Sequence, residues 1–371
     1  MNKRTNFKEN LFDVLIKMIL PVFLCIAVMI FGADNVSEKL LNTSLFLSNP
    51  LSAFSTNTPT TENTNKENTV TNKPPQSQTV NSSIVFSVSS DIKKLVDNAE
   101  KKYANSSNDG KISADDYSIK NATAEYNGIY LRNTTQNHGE IDIAHYLNKK
   151  VQASVDKNKP TVLIYHTHTS ETYELLDRDF YTNERSTRSE NTAENMVRVG
   201  EEICNVLEKN GYKTIHDKTV YDETLNGVYD RARENVSKIL KENPSIQIVL
   251  DIHRDSIYLK DGTRVKTVSQ IGGEKVAQIM LTTGCEDGNV TDFPNWEKNL
   301  TFALNLQQSL VREAPSLMRP LNLAGRKYNM DLMPCALHIE IGTDANTLTE
   351  AVNSAGILGE ALSKLLKEYE I

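Results

Sequence analysis

Thr161-Val162-Leu163-Ile164-Tyr165-His166-Thr167-His168-Thr169-Ser170-Glu171 is the stretch on which the fold turns. Val162 to Tyr165 is an unbroken apolar run after Pro160 and the β-branched Thr161, the pattern of a strand covered on both faces. The residues from His166 to Glu171 carry imidazole, hydroxyl and carboxylate groups, the pattern of a loop leaving the strand. Open α/β sheets gather their ligands just beyond the carboxyl ends of strands. The same pattern recurs twice: Ile246-Gln247-Ile248-Val249-Leu250 runs into Asp251-Ile252-His253-Arg254-Asp255-Ser256, and Ala336-Leu337 runs into His338-Ile339-Glu340-Ile341-Gly342. Strands are predicted at 161–165, 212–215, 246–252, 276–282 and 336–341, and helices at 192–209, 229–241, 296–313 and 348–369. Their alternation predicts an α/β domain over residues 159–371, a largely parallel sheet with helices on both faces.

Upstream, Lys3, Arg4, Lys8 and Lys17 precede an apolar stretch at 18–33. Extended back to residue 11, it reaches the roughly 20 residues needed to cross a bilayer, with the positive end inside. Bulky Phe31 before Gly32-Ala33 makes a poor signal-peptidase site, so residues 1–33 are expected to be a cytoplasmic tail and an uncleaved transmembrane anchor. A cleaved signal is the alternative, and either one exports the chain beyond residue 33. Residues 34–83 are expected to be a polar flexible linker. Within it, 55–83 is almost wholly Ser, Thr, Asn, Gln, Pro, Glu and Lys, too polar to offset the entropy of ordering. Such a tether places the next domain roughly 30 Å from the bilayer. Residues 84–158 are expected to form a small lead-in module with a helix at 92–103 and a strand near 128–132. Residues 105–116 partly match a calcium-binding loop, but Asn and Ser stand at its first and third positions and no Glu closes it, so a polar turn is expected.

Composition narrows the function. In 371 residues the formal net charge is −7, and no basic run lies beyond the N-terminus. Nucleic-acid binding needs clustered Lys and Arg to displace counterions, so it is excluded. Cys25, Cys204, Cys285 and Cys335 lack the paired short spacings of a zinc ribbon or redox motif and read as buried small hydrophobes.

The three polar clusters carry one coherent chemistry. A catalytic zinc site takes three protein ligands, commonly two His and one Glu, and leaves a fourth position open. His168 and Glu171, three apart on one turn, can converge on a metal, and His253 can meet them from a neighbouring strand end. Glu340 is then the free carboxylate that moves protons during amide hydrolysis. Glu194, opening the helix after Thr192, is the alternative third ligand; its competing reading is a favourable charge at a helix N-terminus. His166 is expected beside the site as a packing or supporting residue. Arg254 is expected to grip substrate, and Asp255 to brace His253 or join in that grip, since a metal-bound His usually gives its second nitrogen to a carboxylate or carbonyl. His138, His145 and His216 read as solvated or structural. No Gly-x-Ser-x-Gly elbow or phosphate loop is present, and nothing singles out a glycosidase carboxylate pair. The expectation is one Zn2+ per chain.

The first two motifs, with the closing Glu340-Ile341-Gly342, resemble the stage II sporulation protein P family over roughly residues 159–371. The final strand also resembles the catalytic Glu strand of zinc-dependent N-acetylmuramoyl-L-alanine amidases. The resemblance implies a peptidoglycan hydrolase that removes stem peptides from glycan strands during forespore engulfment, with endopeptidase action on cross-links as a second activity. It also implies a mother-cell membrane location facing the forespore, and the stage II sporulation proteins D and M as partners. Zinc amidases of the wider group take their Glu ligand from a helix start, which favours Glu194. The short His-x-x-Glu turn favours Glu171, as in carboxypeptidase-like sites. A non-catalytic wall-binding or scaffold protein is the competing class, and Glu340 speaks against it.

Overall fold

The computed structural model describes residue 86 and residues 89–371. The expected anchor and the linker at 34–83 lie outside these residues. No helix among the described residues is long and apolar enough to cross a membrane.

In chain order the elements are α1 (Ser90–Lys102), β1 (Gly110–Asp115), β2 (Ala124–Tyr126), β3 (Ile129–Asn133), α2 (Ile143–Leu147), β4 (Pro160–Tyr165), β5 (Phe180–Tyr181) and α3 (Met196–Lys209). Beyond them come β6 (Lys213–His216), α4 (Val228–Glu242), β7 (Ile248–Asp255), β8 (Arg264–Ile271), β9 (Glu274–Ala277), β10 (Ile279–Gly284), α5 (Trp296–Glu313), β11 (Leu321–Ala324), β12 (Ala336–Thr343) and α6 (Leu348–Lys367). Eight strands form one sheet in the order β2-β3-β11-β10-β12-β7-β4-β6, and four form a second in the order β5-β1-β8-β9. In the large sheet only the β2–β3 and β10–β12 pairings are antiparallel. The expected largely parallel sheet is present.

Strand alternation sends successive residues to opposite faces. On one face Val162 and Ile164 of β4, Ile248, Leu250 and Ile252 of β7 and Leu337, Ile339 and Ile341 of β12 share a core with α3, α5 and α6. On the other, Leu163, Tyr165, Val249 and Ala336 pack against Val228, Ala232 and Val236 of α4. Helices therefore cover both faces, and the central strands are as continuously apolar as that burial requires.

The elements differ from expectation where burial was not periodic. The strand expected at 276–282 divides at Gln278, whose preceding residues pair with β8 and whose succeeding residues pair with β12. Residues 84–158 supply β2 and β3 to the large sheet and β1 to the small one. The second half of the calcium-loop-like segment is β1 itself, paired on one side with β5 and on the other with β8, and Asp109 just before it accepts the Asn183 amide at 2.7 Å, so a strand stands where a polar turn was expected. Cys204, Cys285 and Cys335 are free and buried, as their spacing suggested.

Candidate active site

Strands β12, β7 and β4 lie side by side, and their register builds the site. Tyr165 pairs with Asp251, Asp251 with His338, and His253 with Glu340. Residues paired across a sheet share a face. The face packed by α4 at Leu163, Val249 and Ala336 thus continues as Asp251, His253, His338 and Glu340. All four are buried, none above 5% exposed. Just past Glu340 a bulge interrupts the β7–β12 register. Gly342 sits there at φ +65°, where a Cβ would meet the Asn346 carboxamide at 2.6 Å, so this close left-handed turn requires glycine.

The loop after β4 brings the second half. Thr167 donates from its backbone N and its Oγ1 to Asp251, at 2.8 and 2.6 Å. Ser170 donates likewise to the buried Asp222, and the Glu171 amide donates to the His168 carbonyl. Pinned at these points, the turn presents His168 and Glu171 to β7. The His168 and His253 rings lie 5.4 Å apart edge to face, and Glu171 Oε2 lies 3.7 Å from His253 Nδ1. Of the expected residues, His168 and Glu171 thus both approach His253, and Glu340 lies beside His253 on the neighbouring strand.

Glu194 is elsewhere engaged. Its carboxylate takes hydrogen bonds from Arg185 at 3.1 Å and Ser189 at 3.0 Å, immediately before Asn195 caps α3. Arg254, expected to grip substrate, donates to the carbonyls of Thr172 and Thr187 and so ties two loops together. Asp255 pairs with Arg319 at 2.8 Å. The carboxylate beside His253 is Asp251, with Oδ1 2.7 Å from Nε2. His166 is wholly buried, with Nδ1 3.0 Å from the Ile252 carbonyl and Nε2 2.9 Å from His216 Nε2. Burial pushes His166 down to about 4 and His216 to about 3, so both rest neutral. His216 is structural, and His138, whose Nε2 lies 2.7 Å from the Glu286 carbonyl, sits on the rings of Trp296.

Sequence reasoning assigned no role to Asp251, His338 or the aromatic wall. His338 stacks on His253 at 4.2 Å, and its Nε2 lies 2.7 Å from Glu340 Oε1. Asp-x-His in β7 and His-x-Glu in β12 carry the signal, because the two-residue spacing puts each pair on one face. Tyr229 lies edge-on to His168 at 5.9 Å and stacks on Tyr328, which lies 5.2 Å from His338. These two come from the start of α4 and a distant loop, so no local pattern marks them.

Several observations show donors free to hold a metal ion. His168 Nδ1, His338 Nδ1 and Glu340 Oε2 are buried without a hydrogen-bond partner. Each such group costs about 1–3 kcal/mol unless something satisfies it. His253 Nε2 also lacks a well-directed partner, although Asp251 is within ion-pair distance. Ligand atoms about 2.0–2.2 Å from a tetrahedral ion sit roughly 3.5 Å from one another, close to the 3.7 Å between His253 Nδ1 and Glu171. Among the described residues the grouping whose ligand atoms all lie within 4.8 Å of one another is Asp251, His253 and His338, and the expected set of His168, Glu171 and His253 is not gathered as closely. The electrostatics agree. Burial alone would lower His253 and raise the carboxyls, but Asp251 and Glu171 drive His253 well above the usual imidazole range. Arg254, with His253, holds Glu171 well below the carboxylate range, and His253 holds Asp251 at about 2. The field that places a proton on His253 equally favours a cation. Burial lowers His168 to about 4, leaving its ring neutral and able to ligate.

A family model described as "Stage II sporulation protein P (SpoIIP)" matches residues 46–363. Stage II sporulation protein P of Bacillus subtilis (strain 168) is 28% identical over 225 residues, 57% of this chain and 53% of the relative. The chain therefore matches about half the length of that relative. Among solved structures, N-acetylmuramoyl-L-alanine amidase AmiC2 of Nostoc punctiforme is 10% identical with a TM-score of 0.34, over 56% of this chain and 97% of its own. The CwlD amidase from Clostridioides difficile, solved with the GerS lipoprotein, is 13% identical with a TM-score of 0.34, over 56% and 99%. The chain belongs to the stage II sporulation protein P family.

Proposed function

Taking that membership as premise, we propose that the chain is a zinc-dependent peptidoglycan hydrolase whose favoured reaction cleaves the amide between muramic acid and L-alanine during engulfment. The observation that carries this reading is the meeting of His168, Glu171 and His253 beside Glu340, with unpartnered donor atoms on His168 and Glu340. His168, Glu171 and His253 Nδ1 would hold the metal, with the Asp251 carboxylate 2.7 Å from His253 Nε2 on the other side of the ring. Zinc, when bound there, supplies a Lewis acid that polarises an amide carbonyl and acidifies water. Glu340 Oε2 accepts a proton from the attacking water and returns it to the departing amine. His338, at 2.7 Å from the other carboxylate oxygen, holds Glu340 in the orientation that transfer needs. Tyr229 and Tyr328 stack on each other beside His168 and His338.

Cleavage of peptide cross-links uses the same groups and differs only in what the pocket admits, so endopeptidase action is the second activity proposed. A single-pass anchor facing the forespore, with the stage II sporulation proteins D and M as partners, completes the proposal.

The test is full-length chain incubated with peptidoglycan, the products resolved by mass spectrometry and the zinc content measured. Release of intact stem peptides is expected, and shortened or uncrosslinked peptides would transfer the reading to an endopeptidase. Glu340→Gln should lower the rate by roughly 10²–10⁴-fold with zinc content unchanged. A variant that hydrolyses normally would remove Glu340 from the mechanism. A zinc-bound protein that binds wall without any product, even with partners supplied, would favour the scaffold reading.

A further inference from the structure

Three arginines gather where the loop after β4 meets the segment leading into α3. Residues 186–189 run alongside residues 170–172. The Thr172 amide donates to the Thr187 carbonyl at 3.0 Å and the Ser189 amide to the Ser170 carbonyl at 2.7 Å, so Arg188 stands directly opposite Glu171 in a short antiparallel ladder. Arg185 and Arg254 are spent on holding these segments. Arg185 gives Nε and Nη2 to the Tyr173 carbonyl and Nη1 to Glu194. Arg254 gives Nε to the Thr172 carbonyl, Nη2 to that of Thr187 and Nη1 to that of Asp255. Both side chains are buried, at 9% and 6% exposed.

Arg188 keeps half of its guanidinium free. Nη1 donates to the buried Asp222 and to Ser170 Oγ, which fixes the group in place. Nε and Nη2 make no hydrogen bond among the described residues, and the side chain is 36% exposed. Glu171 Oε1 lies 3.6 Å from Nη2, beyond hydrogen-bond length. Among the proposed metal ligands and Glu340, only His168 is half-buried, while the others are at most 7% exposed. Substrate therefore arrives over the turn that carries His168 and Glu171, and Arg188 borders that turn.

We infer that the Nε–Nη2 edge of Arg188 is a subsite for a free carboxylate near the start of the stem peptide, an inference that rests on the amide-hydrolase reading. That edge of the planar fork meets a carboxylate with two parallel hydrogen bonds. The other oxygen of Glu171, Oε2, lies 3.7 Å from His253 Nδ1. The guanidinium thus stands one carboxylate away from the place a metal would take between them, roughly 6 Å. An extended chain advances about 3.3–3.6 Å per residue, so the carboxylate held belongs to the first or second residue past the amide. The acyl half of that amide, the lactyl group of muramic acid, has no free carboxylate, which puts the held group on the peptide side. Arg188 is then a specificity-determining residue, and peptides amidated at that carboxyl are the poorer substrates.

The test uses the full-length chain and a muramoyl dipeptide of alanine and glutamate, with both glutamate carboxyls free or with each amidated in turn. Binding is measured by calorimetry on the zinc-loaded Glu340→Gln protein, and turnover on the chain with Glu340 intact. The compound whose held carboxylate is free should bind roughly 10- to 100-fold more tightly than its amide. Arg188→Lys keeps a cation for Asp222 but has no fork, and should reduce that preference about tenfold. A lone buried Asp222 is costly, so the uncharged form is the double variant Arg188→Gln with Asp222→Asn, in which the preference should disappear. Equal binding of free acid and amides by the natural chain overturns the subsite. So does a loss in Arg188→Lys that is the same on all the compounds, which assigns Arg188 a structural role. Carboxylate-selective binding that depends on Arg188, without any cleavage, would instead overturn the reaction assigned above and leave the subsite standing.

Discussion

His253 presents its two ring nitrogens to two different carboxylates, Glu171 and Asp251, and this makes the ligand set decidable by substitution. With the metal on the Nδ1 side, His168→Ala removes a ligand and should abolish tight zinc binding. His338→Ala should then keep the zinc and lower the rate through Glu340. The opposite pattern, zinc lost in His338→Ala and kept in His168→Ala, assigns the metal to the grouping of Asp251, His253 and His338. Zinc content of the two purified proteins after dialysis settles it. The residues expected here were legible because His, Glu and Asp on buried strand ends are expensive unless they have partners. Asp255 was expected to brace His253 or to join in gripping substrate, whereas in a strand a neighbour two places C-terminal can be drawn off by another cation, as Arg319 does.

Helix α3 illustrates a conflict between local propensity and packing. Gly200 lies within it, and by propensity alone Gly200→Ala should stabilise the helix by up to about 1 kcal/mol. The added Cβ, however, would stand 2.6 Å from His166 and 2.7 Å from His216. Overpacking of this kind costs about 1–3 kcal/mol, so the substitution should be net destabilising, by about 1–2 kcal/mol in urea titration. The displaced His166 ring is held to the Ile252 carbonyl, next to His253, so activity should fall as well. A stabilised, fully active variant would mean that the His pair yields freely. The α3 boundary also differs from the sequence reading. Expected from residue 192, the helix begins at Met196, because Asn195 caps it by accepting the Val197 amide at 3.0 Å. The Glu194 side chain meanwhile is held by Arg185 in the preceding loop.

At the scale of the whole molecule, the buried His pair ties stability to pH. His216 rests at about 3 in the folded chain because burial disfavours its charge, against about 6.5 when unfolded. Between those values the unfolded state binds the extra proton. The contribution is therefore fully present above pH 6.5 and is lost as pH falls toward 3, by at most about 1.4 kcal/mol per pH unit. His216→Gln keeps a donor for His166 without titrating, so its urea midpoint should fall less steeply than that of the natural chain between pH 6.5 and 4.5. Parallel curves would show that His216 does not titrate on unfolding.

The amino-acid sequence by itself determined the alternating α/β class, the strands at 161–165 and 336–341, helix α5 to its end residues, and the approach of His168, Glu171 and Glu340 to His253. Each of these rests on a period or on a chemical type that local physics enforces. Only the tertiary structure decided that β1, β2 and β3 complete two sheets, that Asp251 and His338 join the site, and that Glu194 is taken by Arg185. These depend on strand order and lateral register, which pair residues over 180 positions apart, as Leu131 with Leu321. Such pairings are selected by how well whole surfaces fit, and no local pattern records them.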